Sequence, residues 1–183
     1  MAHLPFQIFG FQHLVSLLIC AAVIIGFPSL YKNKSESIKA NGAKIVAGLI
    51  ALHLVTQPIY DILLFNLPWQ DELPLHMCDF SSIALIIFLL KDNAPKLLFH
   101  CAYFWGICGA TMALLTPDLE YAFPHGEYTP FFFGHSLILL AVFYVLIVKR
   151  DRPYLADIPK VIFTTSILPV SYTHLRAHET KCY

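Results

Sequence analysis

Long apolar runs separated by short polar segments constrain this chain more than any other feature of its sequence. A helix needs roughly 20 consecutive apolar residues to cross the hydrocarbon core of a bilayer. The runs here predict an all-α, polytopic membrane helix bundle with five full spans and a truncated sixth. Short connections between the runs favour neighbouring antiparallel helices. The predicted spans are Phe9–Tyr31, Ala43–Asn66, Leu73–Leu90, Pro95–Thr116, Pro130–Val148 and Ile158–Leu168.

The composition supports a single membrane domain. The chain is 57% hydrophobic and 13% charged, which is more apolar and less charged than an ordinary soluble domain. Its formal net charge of zero gives no basis for binding nucleic acid. We therefore expect one transmembrane helical domain over residues 1–169, multi-pass in the cell membrane, with membrane lipids as its partners.

The last 14 residues, 170–183, differ from the rest of the chain. They are basic and rich in histidine, they interrupt the apolar run that starts at Ile158, and they resemble a translated sequencing adapter. We predict that this tail is not native, that Pro169 marks the junction, and that the native domain is truncated there. The side chains of the tail are therefore not expected to belong to a native site.

The distribution of basic residues predicts the orientation in the membrane. Ten of the 12 Lys and Arg residues precede the tail, since Arg176 and Lys181 lie within it. All ten lie in or beside the first, third and fifth connections, and the second and fourth connections carry only acidic charges. Under the positive-inside rule the odd-numbered connections are cytoplasmic and the N-terminus is outside. The ten residues are Lys32, Lys34, Lys39, Lys44, Lys91, Lys96, Lys149, Arg150, Arg152 and Lys160.

Four cysteines precede the tail, and none has the CxxC spacing of a zinc knuckle. Their positions in apolar segments indicate neither a disulfide framework nor a metal site. We predict that Cys20, Cys101 and Cys108 serve as small buried side chains. We expect neither a cofactor nor a resident metal.

Cys78 and His135 are predicted to lie at one depth near the outer surface. The third span is expected to begin near Pro74, and the fifth near Pro130 with Thr129 as its cap. Cys78 follows Pro74 by four residues and His135 follows Pro130 by five. At ~1.5 Å per residue, the two side chains lie about 6 and 7.5 Å along their helices.

Other polar residues are predicted at a similar depth. Asp61 precedes Asn66, at the outer end of the second span, by five residues, or about 7.5 Å. His13 and Thr116 lie toward the same side. His53 lies two helical turns before Asp61 and extends the polar face of the second span toward the membrane centre. Ionisable residues within spans are rare and by default indicate function. Polar groups from five segments therefore predict a site in the outer leaflet.

Within the third span, helical geometry separates Cys78 from its polar neighbours. His76 and Asp79 are three residues apart and share a face, whereas Cys78 points about 100° away from Asp79. A base for the Cys78 thiol must therefore come from another segment, and His135 is the best-placed candidate. The alternatives are that Cys78 is a packing residue and that His135 only forms a hydrogen bond between helices.

Three segments carry a resemblance to a known family: "LPLHMCDFSS", "YFWGICGATMALLTPDL" and "PFFFGHSLILLAVFY", with "FQHL" in the first span. They resemble the YwaF-type bacterial integral membrane proteins, which are similar to eukaryotic transmembrane protein 164, a cysteine-dependent acyltransferase acting on phospholipids. The resemblance covers nearly all of residues 6–168. It implies that Cys78 is the nucleophile and His135 the catalytic histidine. Residues in supporting or substrate-binding positions are His76, Asp79, Asp61, His13, Trp105 and Thr116.

Two functional hypotheses follow. In the first, Cys78 and His135 form a dyad that transfers or hydrolyses the acyl group of a phospholipid or other ester near the outer leaflet. In the second, the protein is a non-enzymatic transporter or binding protein. Its Asp61, His53, His76 and His135 would then line a path for a proton, a metal ion or an anionic solute.

Overall fold

The computed structural model describes residues 4–69 and 73–167. The predicted foreign tail, residues 170–183, lies outside the described residues. The predicted all-α class is confirmed: the described residues form six helices and no strand beyond an isolated bridge between Pro5 and Tyr121. The helices are α1 (Phe11–Tyr31), α2 (Glu36–Phe65), α3 (Met77–Leu90), α4 (Lys96–Leu115), α5 (Tyr128–Lys149) and α6 (residues 158–167).

Four helices, α1, α2, α4 and α5, are long and apolar enough to cross a membrane. The apolar helix α3 has only 14 residues, or about 21 Å of rise, against a hydrocarbon core of ~30 Å. It begins at Met77 rather than near Pro74 because the Asp79 carboxylate accepts the backbone N–H of His76 at 2.9 Å. This contact fixes His76 as the residue that caps the helix.

Helix α5 is the centre of the bundle. In the most apolar 18-residue stretch of α5, 61% is buried inside the protein. The corresponding share is 17% in both α1 and α2. Helices α1, α2, α3 and α4 all contact α5. Its side chains Val142 and Tyr144 are fully buried and belong to the same hydrophobic core as Ile50 of α2 and Leu85 of α3. A residue on α5 can therefore meet groups from most of the other helices.

Backbone hydrogen bonds join the N-terminal segment to the connection between α4 and α5. Phe6 N–H donates to Glu120 O at 2.9 Å, and Ala122 N–H donates to Leu4 O at 2.8 Å. The end of α2 reaches the same region, since the Tyr60 hydroxyl donates to Gly126 O at 3.2 Å. We call this end of the bundle, which carries the acidic connections, the acidic end.

The opposite end, which we call the basic end, gathers the starts of α2 and α4 and the ends of α1, α3 and α5. The Tyr144 hydroxyl donates to Lys39 O at 2.6 Å, and Lys96 pairs with Asp151 at 3.4 Å. Gly42 is required here, because a Cβ at this position would overlap the rings of Tyr31 and Tyr144. The structure thus places the ten basic residues on one side of the bundle, as the sequence predicts.

Candidate functional site

A cavity of about 480 Å³ opens at the acidic end between α2, α3 and α5. The segments that precede α3 and α5 complete its wall. Among the described residues, its polar lining contains four carboxylates and three imidazoles, but no Lys or Arg. These polar residues are His53, Gln57, Asp61, His76, Cys78, Asp79, Ser82, Asp118, Glu127 and His135.

Cys78 is the second residue of α3 and is half-buried in the cavity wall. This position differs from the fifth helical position that a start near Pro74 would give. The first backbone N–H groups of a helix have no partner within the helix. Among the described residues, the N–H groups of Met77 and Cys78 donate no hydrogen bond. The thiol therefore stands next to two available backbone donors.

His135 projects from α5 into the same cavity. Its Nδ1 donates to the carbonyl of Phe131 at 2.8 Å, and its ring packs on that of Phe131 at 4.5 Å between centroids. A carbonyl only accepts, so Nδ1 carries the proton of the neutral ring and Nε2 keeps its lone pair. The imidazole is thereby held in the form that can accept a proton.

Cys78 and His135 are not joined by a hydrogen bond within the part of the chain that the structure describes. They share the cavity wall, and the dyad itself stays a prediction. Catalytic hydrogen bonds are often long in the absence of substrate and tighten when it binds.

The helix start of α5 also differs from expectation. Thr129 is not its cap, because the helix begins at Tyr128 with Glu127 in the capping position. Pro130 is then the third helical residue, and its missing N–H costs nothing in the first turn. Glu127 itself lines the cavity.

His76 and Asp79 lie on the rim and form a pair, as their three-residue spacing predicts. Besides the backbone contact, His76 Nδ1 lies 3.4 Å from Asp79 Oδ2. The His76 side chain is 64% exposed and that of Asp79 is 24% exposed. The Asp79 carboxylate therefore holds the first turn of α3 in place, and this turn contains Cys78.

On α2, a polar stripe faces the cavity at spacings of four residues. The Gln57 amide donates to both carboxylate oxygens of Asp61, at 3.0 and 2.8 Å. His53, one turn further in, lies against Gly134 of α5, where a Cβ would overlap the imidazole. His53, Asp61 and His135 all line the cavity, so α2 and α5 both present polar groups to it.

Three of the residues expected in the site lie elsewhere. His13 is buried, with Nδ1 accepting from Phe9 N–H at 2.9 Å and Nε2 donating to Leu114 O at 2.8 Å. The indole of Trp105 donates to Thr165 of α6 at 2.8 Å. The Thr116 hydroxyl donates to Met112 O of its own helix at 2.9 Å. None of the three lines the cavity.

Two acidic cavity residues, Asp118 and Glu127, were not predicted as site residues. Both belong to the acidic connection before α5, and Glu127 immediately precedes the helix that carries His135. The sequence signal that could have identified Glu127 is its position at the start of the helix that carries the candidate base His135. Within the described ranges, no group of three or more His, Cys, Asp or Glu side chains is arranged to hold a metal ion.

Comparison with known proteins places the sequence in a family. No match was found among curated proteins or solved structures. The sequence does match the TMEM164 family over residues 8–174, a stretch that contains Cys78, His135 and every described helix. The chain belongs to the TMEM164 family of membrane proteins.

Proposed function

We propose that this protein is a membrane enzyme that transfers or hydrolyses the acyl groups of lipids, with Cys78 as nucleophile and His135 as general base. One observation carries the proposal. A thiol on α3 and an imidazole on α5, from distant parts of the sequence, line one cavity at the end of a membrane bundle. The second support is that the chain belongs to the TMEM164 family. The resemblance of the sequence to this family implied the same chemistry.

In the first half of the reaction, His135 Nε2 takes the proton of the Cys78 thiol. The thiolate then attacks the carbonyl carbon of an acyl ester and forms a carbon–sulfur bond. As the tetrahedral intermediate collapses, the bond to the ester oxygen breaks and His135 returns its proton to the leaving alcohol. The acyl group is left as a thioester on Cys78.

In the second half, His135 removes a proton from an acceptor hydroxyl or from water, which attacks the thioester. The carbon–sulfur bond breaks and His135 returns the proton to the thiolate. An alcohol acceptor makes the protein a transferase and water makes it a hydrolase.

The start of α3 offers a way to stabilise the intermediate. The N–H groups of Met77 and Cys78 have no acceptor among the described residues and belong to the same turn as the thiol. Backbone donors fixed at the place where an oxyanion develops supply a large part of catalysis in acyl transfer. In our proposal these two N–H groups hold the oxyanion.

The charge of the cavity bears on the lipid head group. Asp61, Asp79, Asp118 and Glu127 line it, and within residues 4–69 and 73–167 no Lys or Arg does so. Carboxylates attract cations and repel anions that enter the same cavity. We therefore expect lipids with an amine-bearing head group to be preferred over those with a net negative charge.

The proposal is tested with vesicles that contain a phospholipid carrying an alkyne-tagged acyl chain. The purified protein should acquire a hydroxylamine-sensitive label, which should be lost in Cys78→Ala and formed more slowly in His135→Ala. Cys108→Ala is the matched control. Cys108 was predicted to be buried, but it is exposed on α4 and does not line the cavity. Full labelling of the Cys78→Ala protein would end the proposal.

The stripe of His53, Gln57 and Asp61 supports a second candidate, transport of a proton or solute. One turn beyond His53 and Ser82, however, the bundle is filled by Ile50 and Leu85, which are 2% and 0% exposed. Val142 closes the α5 side in the same way. The described part of the cavity thus ends in an apolar core. Flux into proteoliposomes that Asp61→Asn abolishes and Cys78→Ala leaves intact would favour transport over acyl chemistry.

A further inference from the structure

A second polar cavity lies at the basic end, on the opposite side of the bundle from Cys78. Its volume is about 830 Å³, and its walls are the start of α2, the end of α3, the connection to α4, and the end of α5. Six cationic side chains line it, against three carboxylates. The cations are Lys39, Lys44, Lys91, Lys96, Lys149 and Arg150.

Half of these cations already have partners. Lys39 pairs with Glu36 at 2.7 Å, and Lys96 pairs with Asp151 at 3.4 Å. Lys149 donates to the carbonyls of Phe88 and Leu89 at 3.1 and 3.4 Å, at the last turn of α3. Those carbonyls form the negative end of the α3 dipole. The Lys149 ammonium therefore neutralises partial negative charge at the cavity wall.

The other half are available. Within residues 4–69 and 73–167, no carboxylate lies within ion-pair distance of Lys44, Lys91 or Arg150. They come from three separate elements, α2, the end of α3 and the end of α5, and converge on one space. Arg150 directly follows α5 and has a left-handed backbone conformation, with φ 57°, which ends the helix. A backbone of this kind is unfavourable for a residue with a Cβ and persists where the surroundings enforce it.

We propose that this cavity binds the phosphate of an anionic phospholipid head group. Three unpaired cations from separate elements suit a phosphate, and basic pockets between membrane helices hold such head groups. Apolar side chains also line the cavity, among them Phe88, Leu89 and Val148, and they suit the glycerol and first methylenes of a lipid. Lys44 lies about 12 Å along α2 from its start, a depth from which a lysine reaches the interface by extending its chain.

The test is retention of lipid by the purified full-length protein, measured by native mass spectrometry after extraction from nanodiscs that mix phosphatidylglycerol with phosphatidylcholine. The wild-type protein should retain one phosphatidylglycerol in preference to phosphatidylcholine. The variant Lys44→Gln/Lys91→Gln/Arg150→Gln should reduce this retention by at least about tenfold. The matched control is Lys32→Gln/Lys34→Gln/Arg152→Gln, which removes the same charge from the same end without touching the cavity lining, and it should retain the lipid.

Two further arms keep the result decisive if the triple variant folds poorly. Lys44→Arg/Lys91→Arg keeps the charge and should keep the lipid, whereas the single variant Lys91→Gln should already weaken retention. Equal loss in the triple variant and its control would overturn the proposal, because only bulk surface charge would then matter. Displacement of the lipid by millimolar inorganic phosphate would overturn the assignment to a lipid in favour of a free anion. None of these arms depends on Cys78, so they stand apart from the test of acyl chemistry.

Discussion

Gly134 allows the imidazoles of α2 and α5 to share the candidate site. Any side chain at this position would overlap His53, whose ring also packs edge-on against Phe133 at 5.7 Å between centroids. A helix that carries glycine in its interior gives up about 0.5–1 kcal/mol relative to alanine. The close approach of His53 supplies the reason for that glycine.

We therefore expect Gly134→Ala to destabilise the protein by about 1–3 kcal/mol, the usual range for overpacking, in spite of the better helix propensity of alanine. Thermal unfolding in detergent, followed by tryptophan fluorescence, measures the change. Adding His53→Ala should restore much of the loss, because the overlapping ring is gone.

The matched control for this pair is Gly48→Ala, on the helix that carries His53. Open space surrounds Gly48, with no atom within 4 Å of the position that a methyl group would take, so this substitution should be neutral or stabilise by up to about 1 kcal/mol. An unchanged melting temperature in Gly134→Ala would show that α2 and α5 are not as close as the structure places them.

His13 illustrates a histidine whose two nitrogens both serve the fold. Replacement by Ala leaves Phe9 N–H and Leu114 O without their partner and opens a void in the core. We expect a loss of about 2–4 kcal/mol, read out as a lower melting temperature. Phe11→Ala, on the same helix and 83% exposed, should change stability by less than about 0.5 kcal/mol. Equal stability of the two variants would contradict the structural role.

At the scale of elements, α6 is held to α4 by a hydrogen bond between side chains. The indole of Trp105 donates to Thr165 at 2.8 Å, and no water competes for such a bond within a bilayer. Hydrogen bonds of this kind between membrane helices contribute about 0.6 kcal/mol on average, with a maximum near 1.7 kcal/mol. The contact is thus one modest part of what fixes α6.

A double-mutant cycle with Trp105→Phe and Thr165→Val measures this contribution. We expect a coupling free energy of about 0.6–1.7 kcal/mol, obtained from unfolding in mixed micelles. As a reference pair, Trp105→Phe with Thr164→Val should show no coupling, since the indole of Trp105 donates to Thr165 and not to Thr164. Equal coupling in both cycles would mean that α6 does not dock through Thr165.

The starts of α3 and α5 show where sequence reasoning reaches its limit. Hydropathy locates both helices, but the caps depend on particular contacts, such as the Asp79 carboxylate on the N–H of His76. Proline favours the first turn of a helix without specifying its first residue. The predicted starts were therefore wrong by three residues at α3 and two at α5.

The candidate site shows a related limit. Counting residues gives the depth of a side chain in the membrane, and Cys78, His135 and Asp61 indeed reach one cavity. Counting does not give the direction in which a helix faces, because packing against its neighbours sets its rotation. His13 and Thr116 lie toward the predicted side but do not face the cavity.

At the scale of the whole molecule, charge divides the bundle into two ends with different sites. The acidic end holds the cavity of Cys78 and His135, and the basic end holds the cavity of Lys44, Lys91 and Arg150. Since α1, α2, α4 and α5 are each long enough to cross a bilayer, the two cavities face opposite leaflets in our proposal. The positive-inside rule then assigns the acidic end to the outside.

Labelling of single cysteines in intact cells tests this arrangement. In a chain whose native cysteines are replaced by serine, Gln7→Cys and Glu120→Cys should react with a membrane-impermeant maleimide, and Asn33→Cys should react only after permeabilisation. The hydrogen bond between Phe6 N–H and Glu120 O requires the first two to behave alike, whichever way the protein inserts. Labelling of Gln7→Cys and Glu120→Cys from opposite sides would contradict the fold. Labelling of both only after permeabilisation would leave the fold intact and reverse the orientation, so that the candidate acyl site would act on the inner leaflet.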